Sequence, residues 1–200
     1  ADDALVLEES DLCRIPARQR KSNKGTYGPL LCIAGSEGMA GAAYLTALGA
    51  YRSGAGLVRI LTPEVNRSVL QIQLPEAIVE SYDLETEAVT AENPERQFLA
   101  QQQGSITVSE EEEPAGQAKD QRLPLPLARL EELLASSKAV VIGPGLGQSE
   151  AAVALVKETL SRCEVPLVVD ADALNLIARR PSLLSCRKNN WIFTPHPGEM

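Results

Sequence analysis

Aromatic side chains are scarce in this chain: one tryptophan, two phenylalanines and four tyrosines in 200 residues. A core must come instead from Ala, Leu and Val, which suits a sheet packed by helices. There is a single histidine, His196, and the cysteines Cys13, Cys32, Cys163 and Cys186 are scattered, with no CxxC pair. That spacing argues against a zinc site and fits a reduced, cytoplasmic compartment, with Cys32 and Cys163 read as core or helix-face residues. No apolar run approaches the about 18 residues of a membrane span, and nothing reads as a signal peptide, so neither membrane nor export is expected. Lys and Arg form no stripe that would attract nucleic acid. The net charge of −8 is local: residues 83–120 hold ten acids and two bases, and the remainder holds seventeen of each sign.

Two hundred residues at 44% hydrophobic can bury a full core, so one domain or most of one is expected. The most informative stretch is Lys138 to Gln148, KAVVIGPGLGQ. Ala139 to Ile142 reads as a strand buried on both faces. Gly143-Pro144-Gly145-Leu146-Gly147 is a glycine turn, and Ser149 caps the helix 149–162. Strand, glycine turn and helix together expose backbone N–H groups where anionic ligands bind; a tight turn with nothing bound is the alternative.

The same grammar recurs along the chain. Residues 1–20 read as a linker with a short helical pattern around Glu9 to Ile15. Strands are expected at Pro29–Ala34, Leu57–Leu61, Ala77–Glu80, Val165–Val169 and Trp191–Thr194. Helices are expected from Ala42 to Ser53, from Val65 to Gln73 and from Leu127 to Ala135. The small residues Ala42, Ala43, Ala47, Gly49 and Ala50 predict that the first of these packs close to the sheet. Alternation of this kind implies βαβ units and a mostly parallel sheet. Only from about 84 to 125 does the pattern fail, which predicts an exposed acidic insertion.

Chemistry-bearing residues cluster at the predicted carboxyl ends of strands. Gly35, Gly38 and Gly41 follow the first strand at GxxGxxG spacing, with Glu64 beyond the second, as in a Rossmann dehydrogenase fingerprint. Asp170 and Asp172 emerge from a buried strand, on the same side if extended. They suit metal coordination, a ribose hydroxyl or proton transfer, or one of them caps the next helix. His196, locked between Pro195 and Pro197, reads as a ligand contact rather than a core residue. Glu199 could hold the water shell of a magnesium ion.

Assembled in order, these pieces resemble the NAD(P)H-hydrate dehydratase family, within the ribokinase-like superfamily. The matching stretches are Lys24–Gly28, Gly35–Ala43, Arg52–Val58, Leu74–Ala77, Gly143–Gly147, Asp170–Asn175 and Thr194–Glu199. The resemblance implies a ribokinase-like three-layer α/β fold, of which residues 21–200 are the N-terminal two-thirds. It implies a repair reaction in which a nucleotide, ADP rather than ATP given the bacterial wording, phosphorylates the hydroxyl of hydrated NADH or NADPH, with Mg2+, and phosphate then leaves. Phosphate is a good leaving group where hydroxide is a poor one. By the same likeness Ala42, Gly145 and His196 contact the hydrated dinucleotide, and Asp172 and Asn175 line its cleft. Gly35, Gly38, Gly41, Gly143 and Gly147 make the backbone turns, and Glu199 stands near magnesium and phosphates. The family's nucleotide loop and catalytic aspartate are expected beyond Met200, so catalysis needs a longer protein. Residues 1–20 resemble the linker after an epimerase domain, and a homo-oligomer is expected. Gly145→Val and His196→Ala are expected to weaken hydrate use with the fold intact. Competing readings are a ribokinase-like kinase of a small molecule, a non-catalytic nucleotide-binding module, and the Rossmann dehydrogenase.

Overall fold

The computed structural model describes residues 8–14, 19–83, 123–186 and 190–198. Among these residues six strands form one sheet in which every pairing is parallel: β1 (Pro29–Ile33), β2 (Leu57–Pro63), β3 (Ile78–Tyr82), β4 (Ala139–Ile142), β5 (Leu167–Val169) and β6 (Trp191–Phe193). Their order across the sheet is β3-β2-β1-β4-β5-β6. Among the described residues the α-helices are α1 (Ala40–Arg52), α2 (Arg67–Gln73), α3 (Leu127–Ala135), α4 (Glu150–Arg162) and α5 (Asp172–Arg179). Residues Glu9–Arg14, Glu64–Asn66 and Pro181–Cys186 are 3-10 helices.

Side-chain alternation in β1 explains the layers, because successive residues of a strand point to opposite faces. Leu31 and Ile33 pack with Leu61, Tyr82, Val140, Ile142, Leu167 and Val169 against buried residues of α3, α4 and α5. Cys32 and Ala34 face the other way and join Val58, Ile60 and Val79 beneath α1 and α2. Helices thus cover both faces of the β1–β3 half, as a three-layer fold requires. Ala43 and Ala47 are fully buried in α1, and their small size lets the helix lie close to β1 and β2. Leu123 and Leu125, at the end of the stretch expected to be an insertion, pack partly buried against the larger core. Residues 84–122 of that stretch lie outside the described residues.

Element ends shift where backbone chemistry demands it. α1 begins at Ala40 rather than Ala42. The strand expected from Val165 begins at Leu167, because Pro166 has no N–H to give the ladder; its carbonyl instead accepts from Val140 N at 2.9 Å. β2 runs on to Pro63, which pairs with Tyr82 at the end of β3. Cys32 and Cys163 are buried as expected, whereas Cys13 is exposed. No described helix is long and apolar enough to cross a membrane.

Candidate active site

In an open parallel sheet, ligands bind beyond the carboxyl ends of the strands, where the strand order reverses. Here the reversal falls between β1 and β4, since β1 leads to β2 on one side and β4 leads to β5 on the other. The two glycine turns therefore flank the same crevice, one after β1 and one after β4.

Backbone bonds lock these turns together. Gly35 N donates to Pro144 O at 2.9 Å, and Gly143 N donates to Ile33 O at 3.1 Å. Gly143 has φ +121° and lies so close to Asp170 O that an added Cβ would stand 1.9 Å from it, so glycine is required there. Gly145, at φ +60°, faces α1: a Cβ at this position would stand 2.6 Å from Ala42 Cβ and 3.2 Å from Met39 Cβ. Ala42 and Gly145, expected to share a ligand, thus meet across the crevice. Gly38 and Gly41 have open space around them.

The two helices that leave these turns differ at their starts. Ser149 Oγ accepts from Ala152 N at 3.2 Å and caps α4, as its sequence predicts. α1 has Met39 at its cap position, no side-chain cap bond and no acid in its first turn. The helix N-terminus left for an anionic ligand is therefore that of α1, beside Gly145, more than that of α4.

The paired-carboxylate expectation is overturned. Asp170 and Asp172 do not continue an extended strand, because Ala171 between them has φ 47° and ψ −120°. Asp170 accepts from Thr194 Oγ1 at 2.7 Å, toward β6. Asp172 accepts from Gly147 N at 2.8 Å, toward the β4 turn. Neither is the N-cap of α5, which is Ala171; Asp172 stands in the first helical turn, where an acid is favoured by the helix dipole. Asn175, half-buried one turn later, has its backbone N–H on Ala171 O. His196 is exposed in the loop after β6, two strands from the reversal, and its Nδ1 accepts from Gly198 N at 2.9 Å. Glu199 lies outside the described residues. Among those described, no group of three or more His, Cys, Asp or Glu is placed to share a metal ion.

Glu64, the acid that the dehydrogenase reading needs at the tip of β2, is held by Ser81 Oγ and Arg67 Nη1. These hydrogen bonds, Ser81 foremost, lower its carboxyl pKa. What the sequence reading missed is Asn66, a buried amide beside it; a polar residue closing a strand end was the available signal.

The fold is shared with solved structures. A ribokinase-like superfamily protein from Enterococcus faecalis superposes with a TM-score of 0.65 at 22% identity, over 96% of this chain and 54% of its own. Residues 30–200 match the family model described as NAD(P)H-hydrate dehydratase, and the chain belongs to that family. It is 36% identical over 190 residues to the bifunctional NAD(P)H-hydrate repair enzyme Nnr of Moorella thermoacetica, covering 94% of this chain and 30% of that protein. It is 32% identical to the ADP/ATP-dependent NAD(P)H-hydrate dehydratase of Bacillus subtilis co-crystallized with ATP/Mg2+, with a TM-score of 0.57 over 92% of this chain and 50% of that one. The chain thus spans about a third to a half of the length of the relatives it matches.

Proposed function

We propose that residues 21–200 are the N-terminal portion of a nucleotide-dependent NAD(P)H-hydrate dehydratase, with 1–20 as a linker. The observation that carries this reading is the switch-point crevice, where Ala42 and Gly145 meet beside the uncapped start of α1. The small residues at this junction let a dinucleotide approach the backbone beside it, and the positive end of α1 suits its phosphates. Asp172 fixes the β4 turn, Asn175 lines the same cleft, and His196 supplies a polar contact from the β6 loop.

The added ring hydroxyl of the hydrate gives up its proton and attacks the terminal phosphorus of ADP or ATP, the phosphoanhydride bond breaks, and the shortened nucleotide departs. The C–O bond then breaks, inorganic phosphate leaves, and a proton is lost from the neighbouring carbon to restore the ring double bond. Magnesium takes few protein carboxylates in phosphate sites, and Glu199 is the one assigned to it. The test is recovery of NADH absorbance from purified NADH hydrate by the full-length protein, with ADP and ATP tried separately. Nucleotide-dependent recovery is the expected result. Nucleotide use on another acceptor without recovery would point to a small-molecule kinase instead, and binding without turnover to a nucleotide-binding module.

We also infer a cytoplasmic protein, fused in its full length to an epimerase domain, and a homo-oligomer. The support for the last is the exposed apolar side chains of α1, of α2 and of the 3-10 turn before α2, where Leu45, Val65, Val69 and Ile72 are 50–77% exposed. Gly41 and Gly49 flank Leu45 at four-residue spacing with open space above them, so the face carries both a knob and holes for a second copy. Ile72→Glu should lower the sedimentation mass of the chain; an unchanged mass would remove this face as the interface.

A further inference from the structure

Asn66 closes the 3-10 turn after β2, is 4% exposed, and reaches back to the first glycine turn. Its Nδ2 donates to Ser36 O at 3.0 Å and to Thr62 Oγ1 at 3.0 Å. Because a carbonyl can only accept, the nitrogen of this amide must face Ser36. The turn lies directly on the pair: a Cβ at Gly35 would stand 3.0 Å from Thr62 Oγ1 and 3.2 Å from Asn66 Nδ2. Ser36 in turn sits 3.5 Å from where a Gly147 Cβ would lie, and Gly147 N donates to Asp172. One continuous path therefore runs from the end of β2, across both glycine turns, to the start of α5.

We propose that Asn66 is a positioning residue for the crevice: its bond to Ser36 sets where the β1 turn delivers Ala42 opposite Gly145. Burying an amide is costly unless it is fully bonded, and the bond it makes here is to the loop that carries the ligand wall. The functional half of this inference rests on the hydrate-dehydratase reading; the geometric half does not.

Asn66→Asp keeps the shape and replaces the donor with an acceptor facing the Ser36 carbonyl. Thr62→Val removes the other partner and leaves the Ser36 bond in place. In the full-length protein, amide exchange at Gly35 and Ala42 should quicken about tenfold or more in Asn66→Asp, as loss of about 1.4 kcal/mol implies, and stay near wild type in Thr62→Val. KM for NADH hydrate should rise at least about fivefold in the first variant with kcat within about twofold, the mark of lost uniform binding. Should Asn66→Asp fail to fold, Asn66→Ala carries the same comparison. Unchanged exchange at the turn, or equal changes in both variants, overturns the positioning role whatever the activity. Altered exchange with no wild-type turnover of hydrate leaves the positioning intact and refutes the dehydratase reading instead.

Discussion

Gly145 lies in the glycine turn after β4 and Ala42 in the first turn of α1, and their contact can be tested by a double-mutant cycle. Gly145→Ala places a Cβ at φ +60° and 2.6 Å from Ala42 Cβ. The left-handed backbone costs an L-residue roughly 1–2 kcal/mol. Carbon atoms prefer about 3.5–4.0 Å, so the turns must part by about 1 Å, an overpacking cost of about 1–3 kcal/mol. The single variant should therefore lose about 2–5 kcal/mol, a large share of a typical domain's stability. Ala42→Gly alone should cost no more than about 0.5–1 kcal/mol. Combined, the second change removes the atom that the first strikes, and the two should couple favourably by about 1–3 kcal/mol. Urea unfolding followed by far-UV circular dichroism measures all four proteins, and a loss of about 3 kcal/mol moves the midpoint by about 1 M or more. Additivity within about 0.5 kcal/mol would mean that the turns do not meet as described. The same geometry corrects the expectation for Gly145→Val: a β-branched side chain at this φ damages the fold as well as hydrate use, so His196→Ala, in an exposed loop, is the cleaner functional probe.

Asp172→Ala leaves Gly147 N without its acceptor and should cost about 1–3 kcal/mol in thermal or urea unfolding; Asp172→Asn, which keeps an acceptor oxygen, should cost less than half as much, and equal losses would deny the bond its role. Burial pushes the Cys32 thiol from 9.0 up to about 12, and raises Tyr82 and Tyr51 as well. The neutral forms are favoured in the folded state, so the Cys32 contribution is complete below pH 9.0 and falls as pH rises toward 12, and those of the tyrosines fall only above pH 10.0. Cys32 alone accounts for about 4 kcal/mol by that limit, and Cys32→Ala should flatten the alkaline decline in urea midpoint; an unaltered slope would assign it to other groups.

Much of the fold was legible because buried parallel strands announce themselves: Pro29–Ile33 and Ala139–Ile142 are unbroken apolar runs between glycine turns. The crevice was legible for a related reason, since glycines at Gly143 and Gly145 mark where two chain segments approach too closely for a side chain. Other matched motifs play a different part. Lys24–Gly28 meets the Gly54–Gly56 turn at the amino edge of the sheet, where a Cβ on Gly56 would stand 2.1 Å from Lys24 O. That pairing secures the entry to β1 and β2, far from the reacting side, and spacing alone could not separate it from the site.

Aspartates two apart share a side only while the backbone stays extended, and Ala171 leaves that region for φ 47° with no glycine or asparagine to announce it. Positive φ in such a residue is strained and here is held from both sides, by Asp170 N on Ile142 O and by Asn175 N on Ala171 O. The twist sends Asp170 to Thr194 and Asp172 to Gly147, so each carboxylate braces a different loop of the carboxyl edge. A pair that spacing would assign to one metal or one proton instead ties β6 and the β4 turn to the end of β5. The strain is local, whereas the order it imposes extends across three strands.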